Sequence, residues 1–407
     1  MIGETTKWEV LPGGITAPQG FQAAGVVAQI RKKGRRDLAL IYSQVPAAAA
    51  ALFTQNQVKA APVLVSKENL AGRTVQAIVA NSGIANACTG RQGLSDARRM
   101  AALTAEVLGI SPDLVVVAST GVIGIPLPME KIEKGIREAA ASLSRDGGGA
   151  ASEAIITTDT CPKEYAVKVC LGKKEVTLGG IAKGSGMIHP NLATMLSFLT
   201  TDAAVRPEAL AEALRWAGER SFNAVTVDGD TSTNDMVVLL ANGLAGNEPL
   251  TGEEPDYFLF REALLAVCRE LVKMIARDGE GATKFLEIRV KGAEREEEAR
   301  LIARSVAGSN LVKAAIFGED ANWGRIITAA GYAGVPFDPD RVDIFLGDLK
   351  VAEKGAGLDF GEEEAHAVLE GREVVITLDL NQGTAEAVAW GCDLSYDYVR
   401  INAHYRT

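Results

Sequence analysis

The residues best able to do chemistry lie in one stretch, KGSGMIHPNLATMLSFLTTDA, from Lys183 to Ala203. Gly184-Ser185-Gly186 suggests a phosphate-cradling loop. However, the G-x-G-x-x-G spacing is incomplete, Pro190 stands where the following helix should begin, and no Walker lysine is present. What remains is a constrained loop, two glycines and then His189-Pro190-Asn191, delivering Ala193-Thr194 into the apolar run MLSFL. That run is short, is bounded by Thr200-Thr201-Asp202, and reads as a buried strand. A threonine at the mouth of a buried strand, after a small residue and a tight loop, is placed for internal peptide cleavage. Its hydroxyl attacks the Ala193 carbonyl, the ester hydrolyses, and Thr194 is left with a free α-amine. That amine, with a reference pKa of about 8, supplies the base that a threonine hydroxyl otherwise lacks. The pattern alone leaves open that Thr194 is simply a β-branched strand residue.

Other polar positions carry weaker signals. Lys183 heads the same loop and is placed to bind a substrate carboxylate, although a lone lysine reads equally as a solvated charge. Glu280, in DGEGATK (Asp278 to Lys284), follows a long helical stretch at a glycine-flanked turn. A carboxylate there can pair with a substrate ammonium or orient the Thr194 amine; an exposed turn glutamate would look the same. Thr120 and Gly121 close the run LVVVAS, and a glycine after a buried strand lets backbone N–H groups turn toward a site. Thr157 opens TTDT, which by itself reads as a β-turn cluster. DGDTSTND (Asp228 to Asp235) lacks the glycine and terminal glutamate of a calcium loop at the required offsets. No metal is assigned there, and polar support beneath a site is expected. NSGIANACTG (Asn81 to Gly90) is expected to line the cleft, with no role assigned.

The elements that must position these residues alternate along the chain. Strand-like runs are VVAQI around Val27, DLALIYS from Asp37, VQAIVA from Val75 and LVVVAS from Leu114. Helix-like stretches start at Asp96, Met129, Pro207 and Phe258, the last being the clearest, with apolar spacings of three and four and Gly279 near its C-cap. The pattern is mixed α/β. SRDGGGA from Ser144 reads as a flexible joint, and a second boundary is expected after about residue 285, before LEIRV and a charged helix around EREEEARLIARS. The charges from Glu294 to Arg300 read as a solvated helix face.

The 407 residues carry a net charge of −10, which argues against a general nucleic-acid binder. The five cysteines and three histidines show no zinc or disulfide spacing, so reduced, mostly buried thiols of a cytoplasmic protein are expected. The N-terminal sequence does not read as a signal peptide, and no apolar stretch is long enough for a membrane span.

The cleavage segment closely resembles the processing site of the glutamate N-acetyltransferase family, also called ornithine acetyltransferase. So do ASTGVIG (Ala118 to Gly124), TTDT, FNAVTVDGDTSTND (Phe222 to Asp235), DGEGATK, AAIFGEDANWGRI (Ala314 to Ile326) and the terminal YVRINAHYRT (Tyr398 to Thr407), in the family's order and essentially end to end. The resemblance implies an αββα sandwich over residues 1–285 with a smaller α/β domain over 286–407. It implies cleavage at Ala193–Thr194 into α and β chains that stay together as α2β2. The implied reaction, part of arginine biosynthesis, moves acetyl from N2-acetylornithine to glutamate through an acetyl ester on Thr194. No cofactor is implied, but some members also accept acetyl-CoA as a co-substrate. By resemblance Thr120 and Gly121 form the oxyanion hole. Thr157, Lys183, Thr194, Glu280, Asn402 and Thr407 bind substrate, the last two from a tail that returns to the site. The Asn402 amide and the Thr407 carboxylate are suited to an amino-acid substrate's ammonium. The alternative reading is an aminopeptidase of the same self-processing fold, a group generally built around serine; the Ala-Thr junction and DGEGATK favour the acetyltransferase.

Overall fold

In the structure, a computed structural model that describes residues 7–31, 34–189 and 195–404, the β-branched and alanine-rich runs form strands and the amphipathic stretches form helices. The sequence suggested a joint at SRDGGGA from Ser144 and a boundary after about residue 285. The described residues fall into two units that interleave: 1–184, 191–222 and 231–271 in one, 185–190, 223–230 and 272–407 in the other.

The first unit holds β1 (Glu9–Leu11), β2 (Phe21–Val26), β3 (Leu38–Phe53), α1 (Ala61–Asn69), β4 (Thr74–Asn81), α2 (Gly90–Leu108), β5 (Val115–Ser119), α3 (Met129–Ala141), α4 (Gly148–Ile155), β6 (Lys163–Leu171), β7 (Lys174–Lys183), β8 (Leu196–Thr201), α5 (Pro207–Glu219), β9 (Met236–Ala241) and most of α6 (Pro255–Arg277). The strands make one ladder, β1-β6-β7-β8-β9-β3-β4-β5, with β2 added on β3. β3 shifts register between Tyr42 and Ala47, beside Pro46, so its first half pairs with β2 and its second with β9, while β4 spans the shift. One buried cluster joins Ile41, Ile78 and Val116 from one half of the ladder to Ile181, Phe198 and Val238 from the other. The opposite face of β3, β4 and β5 packs on α2 and α3 through Met100, Leu103, Ile132 and Ile136. α5 covers the outer face of the other half, packing on β3 and β9, and the Tyr257 hydroxyl of α6 donates to the Ala209 carbonyl of α5 at 3.2 Å. This is the αββα layering that the family resemblance implied.

Three local readings need correction. The strand near Val27 lies earlier, at Phe21–Val26, because the buried Asp37 carboxylate accepts from the N–H groups of Ala28 (2.7 Å) and Arg31 (2.9 Å) and bends the chain, with Gln29 at φ 61°. SRDGGGA is no joint between units. It runs into α4, and a Cβ on Gly147 would stand 1.8 Å from the Ala23 carbonyl oxygen, so glycine there permits close packing. The thiols are not mostly buried: Cys88, Cys161 and Cys170 are exposed, the first two on loops and the third near the solvent end of β6, and only Cys268 and Cys392 are buried.

The second unit holds β10 (Phe285–Ala293), α7 (Glu296–Gly308), α8 (Asn310–Phe317), α9 (Trp323–Gly331), β11 (Asp343–Leu346), β12 (Leu349–Glu353), β13 (Ala356–Gly357), α10 (Glu362–Leu369), β14 (Glu373–Asp379), β15 (Ala385–Cys392) and α11 (Tyr396–Ala403). Its sheet runs β13-β12-β11-β14-β10-β15, and α7 covers it through Ile302 and Val306. Among the described residues no helix is long and apolar enough to cross a membrane.

Candidate active site

Ala193, Thr194 and Thr407 lie outside the described residues. What the structure gives is the frame that starts one residue after Thr194. Met195 is 1% exposed, and its carbonyl accepts from the Met236 N–H at 3.0 Å. β8 then runs antiparallel to β7, with Leu196 opposite Lys183, and parallel to β9, with Leu196 opposite Met236. Every residue of β8 is buried, as MLSFL predicted.

Thr120 and Gly121 follow β5 in a turn whose geometry limits which groups are available. The Thr120 N–H is already committed to the Asn81 carbonyl at 3.0 Å. Among the described residues neither the Thr120 hydroxyl nor the Gly121 N–H has a partner, so these are the donors the turn can offer. Gly121 sits at φ 128°, and a Cβ there would fall 2.2 Å from the Gly83 carbonyl carbon; no other residue fits. The NSGIANACTG block braces this turn. Asn81 Nδ2 donates to the Ile84 carbonyl at 2.9 Å, Asn81 Oδ1 accepts from the Ser119 hydroxyl at 2.6 Å, and Val122 N–H donates to Gly83 at 3.1 Å. From the far end of DGDTSTND, Asn234 Nδ2 donates to both the Ala85 carbonyl (2.6 Å) and the Ser119 carbonyl (2.8 Å).

Thr157 and Lys183 are brought together: Lys183 Nζ donates to Thr157 Oγ1 at 3.4 Å. Beneath them Asp159, 3% exposed, accepts from buried Lys163 Nζ and from the Gly184 N–H, both at 2.7 Å, while its other oxygen accepts from the Thr157 N–H at 3.0 Å. Burial alone would push the Asp159 carboxyl up, but Lys163 and Lys183 beside it outweigh this and hold it below the usual carboxylate range. Arg31 clamps the same loop through the carbonyls of Ile156 and Thr157, each at 2.9 Å.

In the second unit the loop from Ser185 to His189 is held from two sides. The Asp228 carboxylate accepts from the N–H groups of Met187 (2.6 Å) and Ile188 (2.9 Å), which consumes the group that a calcium loop would use. Met187 lies at φ 56°, an uncommon conformation for its residue type. Glu280 N–H donates to the Ser185 carbonyl at 2.9 Å, and a Cβ on Gly186 would stand 2.3 Å from the Glu280 carboxyl carbon, so that glycine lets the carboxylate lie flat against the loop. Asn402 Nδ2 donates to Glu280 Oε2 at 2.8 Å, joining α11 to the DGEGATK turn. His189 Nδ1 meets Thr226 Oγ1 at 3.1 Å, and burial, aided by Arg304, lowers its basicity and favours the neutral ring.

Residues 22–407 match the ArgJ family over nearly the whole chain. The chain belongs to the ArgJ family. It is 59% identical to the Arginine biosynthesis bifunctional protein ArgJ of Symbiobacterium thermophilum, over 98% of this chain and 100% of that one. It is 54% identical to the protein of the same name from Thermotoga neapolitana, over 96% and 99%. The crystal structure of the arginine biosynthesis bifunctional protein argJ of Bacillus halodurans, 52% identical, matches with a TM-score of 0.51 over 52% of this chain and 99% of that chain. ArgJ membership makes the chain an enzyme of arginine biosynthesis and supports the acetyltransferase reading over the aminopeptidase one.

Several residues of this ArgJ frame were not legible as individuals. Asp159 and Lys163 are spaced i, i+4 in a non-helical segment, where sequence suggests no pairing. Asn234 and Asp235 were visible only as members of a polar block.

Proposed function

We propose that this chain cleaves itself between Ala193 and Thr194 and then moves acetyl from N2-acetylornithine to glutamate through an ester on Thr194. In the first half-reaction the neutral Thr194 amine takes the hydroxyl proton. The oxygen attacks the acetyl carbonyl, and ornithine leaves carrying that proton on its nitrogen. Glutamate's amine then attacks the ester and releases acetylglutamate. The Thr120 hydroxyl and the Gly121 N–H receive the oxyanion in both half-reactions. Lys183, aided by Thr157, binds a substrate carboxylate, and Glu280 with Asn402 and Thr407 binds the substrate's amino-acid end.

The observation that supports this best is the turn at Thr120–Gly121. Two donors without a partner among the described residues, the Thr120 hydroxyl and the N–H of a glycine that no side chain could replace, stand in the same unit as the buried segment that begins one residue after Thr194. The word "bifunctional" in the relatives' names fits acetyl-CoA as a second acetyl donor, and we extend that to this chain. An α2β2 assembly in the cytoplasm completes the reading.

The test is a denaturing gel with N-terminal sequencing, combined with an assay of acetylornithine plus glutamate. The reading expects two fragments, one beginning Thr-Met-Leu-Ser, and expects Thr194→Ala to remain one inactive chain. A cut and active Thr194→Ala protein would overturn it, and turnover of a small peptide amide in place of acetylornithine would restore the aminopeptidase.

A further inference from the structure

A cavity of about 750 Å³ lies wholly within the first unit and is lined by none of the residues given a part in the transfer reaction. Its volume suits a small molecule. Gly14 and Thr16, from the loop between β1 and β2, line it together with Arg145, Asp146, the start of α4 and Glu164 of β6.

Several of these groups lack the partners that a folded protein normally supplies. Glu164 Oε2 is shut off from solvent without a hydrogen-bond partner, and among the described residues Glu164 makes no ion pair. Thr16 is 8% exposed, and among the described residues its hydroxyl bonds to nothing. The N–H groups of Gly148 and Gly149, the first of α4, are also without partners there, because the residue before them, Gly147, has no side chain to cap the helix. Unpaired buried polar groups are costly, and a ligand that bonds to them offsets the cost.

The groups sort into two poles. The Thr16 hydroxyl stands 2.8 Å from the point where a Cβ on Gly148 would sit, so it joins the N–H groups of α4, with Arg145 just before that helix. Hydroxyl, backbone N–H groups, helix dipole and guanidinium all suit a carboxylate. The other pole is at Gly14, two residues earlier, where Glu164 Oε2 lies 3.3 Å from the point where a Cβ would sit. The Cα atoms of Gly14 and Thr16 are at most about 7 Å apart, the span of a short aliphatic chain. Counting Asp146, the lining carries two carboxylates against one guanidinium, a net charge of −1.

We propose that this cavity is a binding site for a basic amino acid, with the ligand's carboxylate at the start of α4 and its side-chain cation on Glu164. Such a ligand carries two cationic groups and one carboxylate, which complements both the order of the poles and the net charge. A dicarboxylate would meet Glu164 and Asp146 with like charge, and a plain diamine would leave the donors at α4 unpaired. Both Glu164 oxygens are open to the two-pronged pairing that a guanidinium offers.

The test is isothermal titration of the full chain with L-arginine and L-lysine. L-citrulline, which lacks the side-chain charge, and agmatine, which lacks the carboxylate, serve as controls. At least one of the two amino acids should bind with a Kd of about 1 mM or tighter. Each control should bind at least about tenfold more weakly, the worth of one charge-assisted hydrogen bond. Glu164→Gln and Thr16→Val should each weaken binding of the amino acid by at least about tenfold. Both variants keep the side chain's shape and break no bond among the described residues, and Thr16→Val decides the matter if Glu164→Gln fails to fold. Lys183→Met should bind like wild type, because Lys183 does not line the cavity. Failure of both amino acids to bind at that level would overturn the proposal, as would either control binding equally well. Wild-type affinity in Glu164→Gln or Thr16→Val would overturn it too. Binding lost only in Lys183→Met would mean that the ligand sits among the transfer residues instead.

Discussion

Replacing Thr120 with valine isolates a single hydroxyl. The backbone N–H of Thr120 is committed to Asn81, so the hydroxyl is the only donor this residue has left for an oxyanion. Valine keeps the β-branched shape, which matters because the residue is 7% exposed and packed. Among the described residues the hydroxyl has no partner to lose, so the folded state should change in stability by less than about 1 kcal/mol. The transition state should lose one preorganised donor, about 2.7–4 kcal/mol or 10²–10³ in kcat. Self-cleavage also passes through a tetrahedral oxyanion and should slow as well. Thr120→Ser, which retains the hydroxyl, should stay within about tenfold of wild type in kcat. Gly121→Ala should be worse than Thr120→Val. Its Cβ would meet the Gly83 carbonyl carbon at 2.2 Å, so backbone must move, and a shift of about 1 Å costs on the order of 10²-fold in addition to strain. The assays are steady-state kcat with acetylornithine and glutamate, the timed loss of uncut chain, and thermal unfolding. Normal kcat and normal cleavage in Thr120→Val would refute the assignment of its hydroxyl.

Asp159→Asn should destabilise the protein by about 3–5 kcal/mol in denaturant titrations, because it breaks a buried ion pair by removing the carboxylate 2.7 Å from the fully buried Lys163 ammonium. Asp159's folded pKa lies below its unfolded one, so its contribution is present above the unfolded value, near 4, and is lost as pH falls through the folded value; the Asp159→Asn deficit should therefore shrink in strongly acidic buffer. Lys183→Met should raise the KM for substrate by at least about tenfold, since a charge-assisted contact is worth roughly 1.5–3 kcal/mol, and an unchanged KM would remove Lys183 from substrate binding. Deleting residues 403–407 should leave self-cleavage intact and sharply raise KM for acetylornithine or glutamate. Unchanged KM for both would make the tail only a structural end.

The alternation of strands and helices was legible because its signals are local and repetitive, whereas the αββα layering followed from the family resemblance. Pro207–Glu219 has the bounds expected of it, since a proline at the first turn and an unbroken apolar period fix a helix without help from elsewhere. β3 shows where such signals fail. Its second half, VPAAAAALF, contains a proline and a run of alanines that score poorly as strand, yet from Ala48 to Phe53 it pairs with β9 because tertiary pairing overrides weak propensity. The site divides the same way. Gly121 was recognisable as a glycine after a buried strand, but the loss of the Thr120 N–H to Asn81 depends on a contact across 39 residues of sequence and has no local mark. The Asp159–Lys163 pair is likewise a product of burial, which residue spacing does not encode.

The claim on which the account turns is that acetyl rests on Thr194 between donor and acceptor. Incubating the purified enzyme with acetylornithine and no glutamate, then taking intact masses of both fragments under denaturing conditions, tests it directly. The account predicts one added acetyl group on the fragment that begins at Thr194, removed when glutamate is added, with parallel initial-rate lines for the two substrates. Unmodified fragments together with intersecting lines would mean that acetyl passes directly from ornithine to glutamate, and would contradict it.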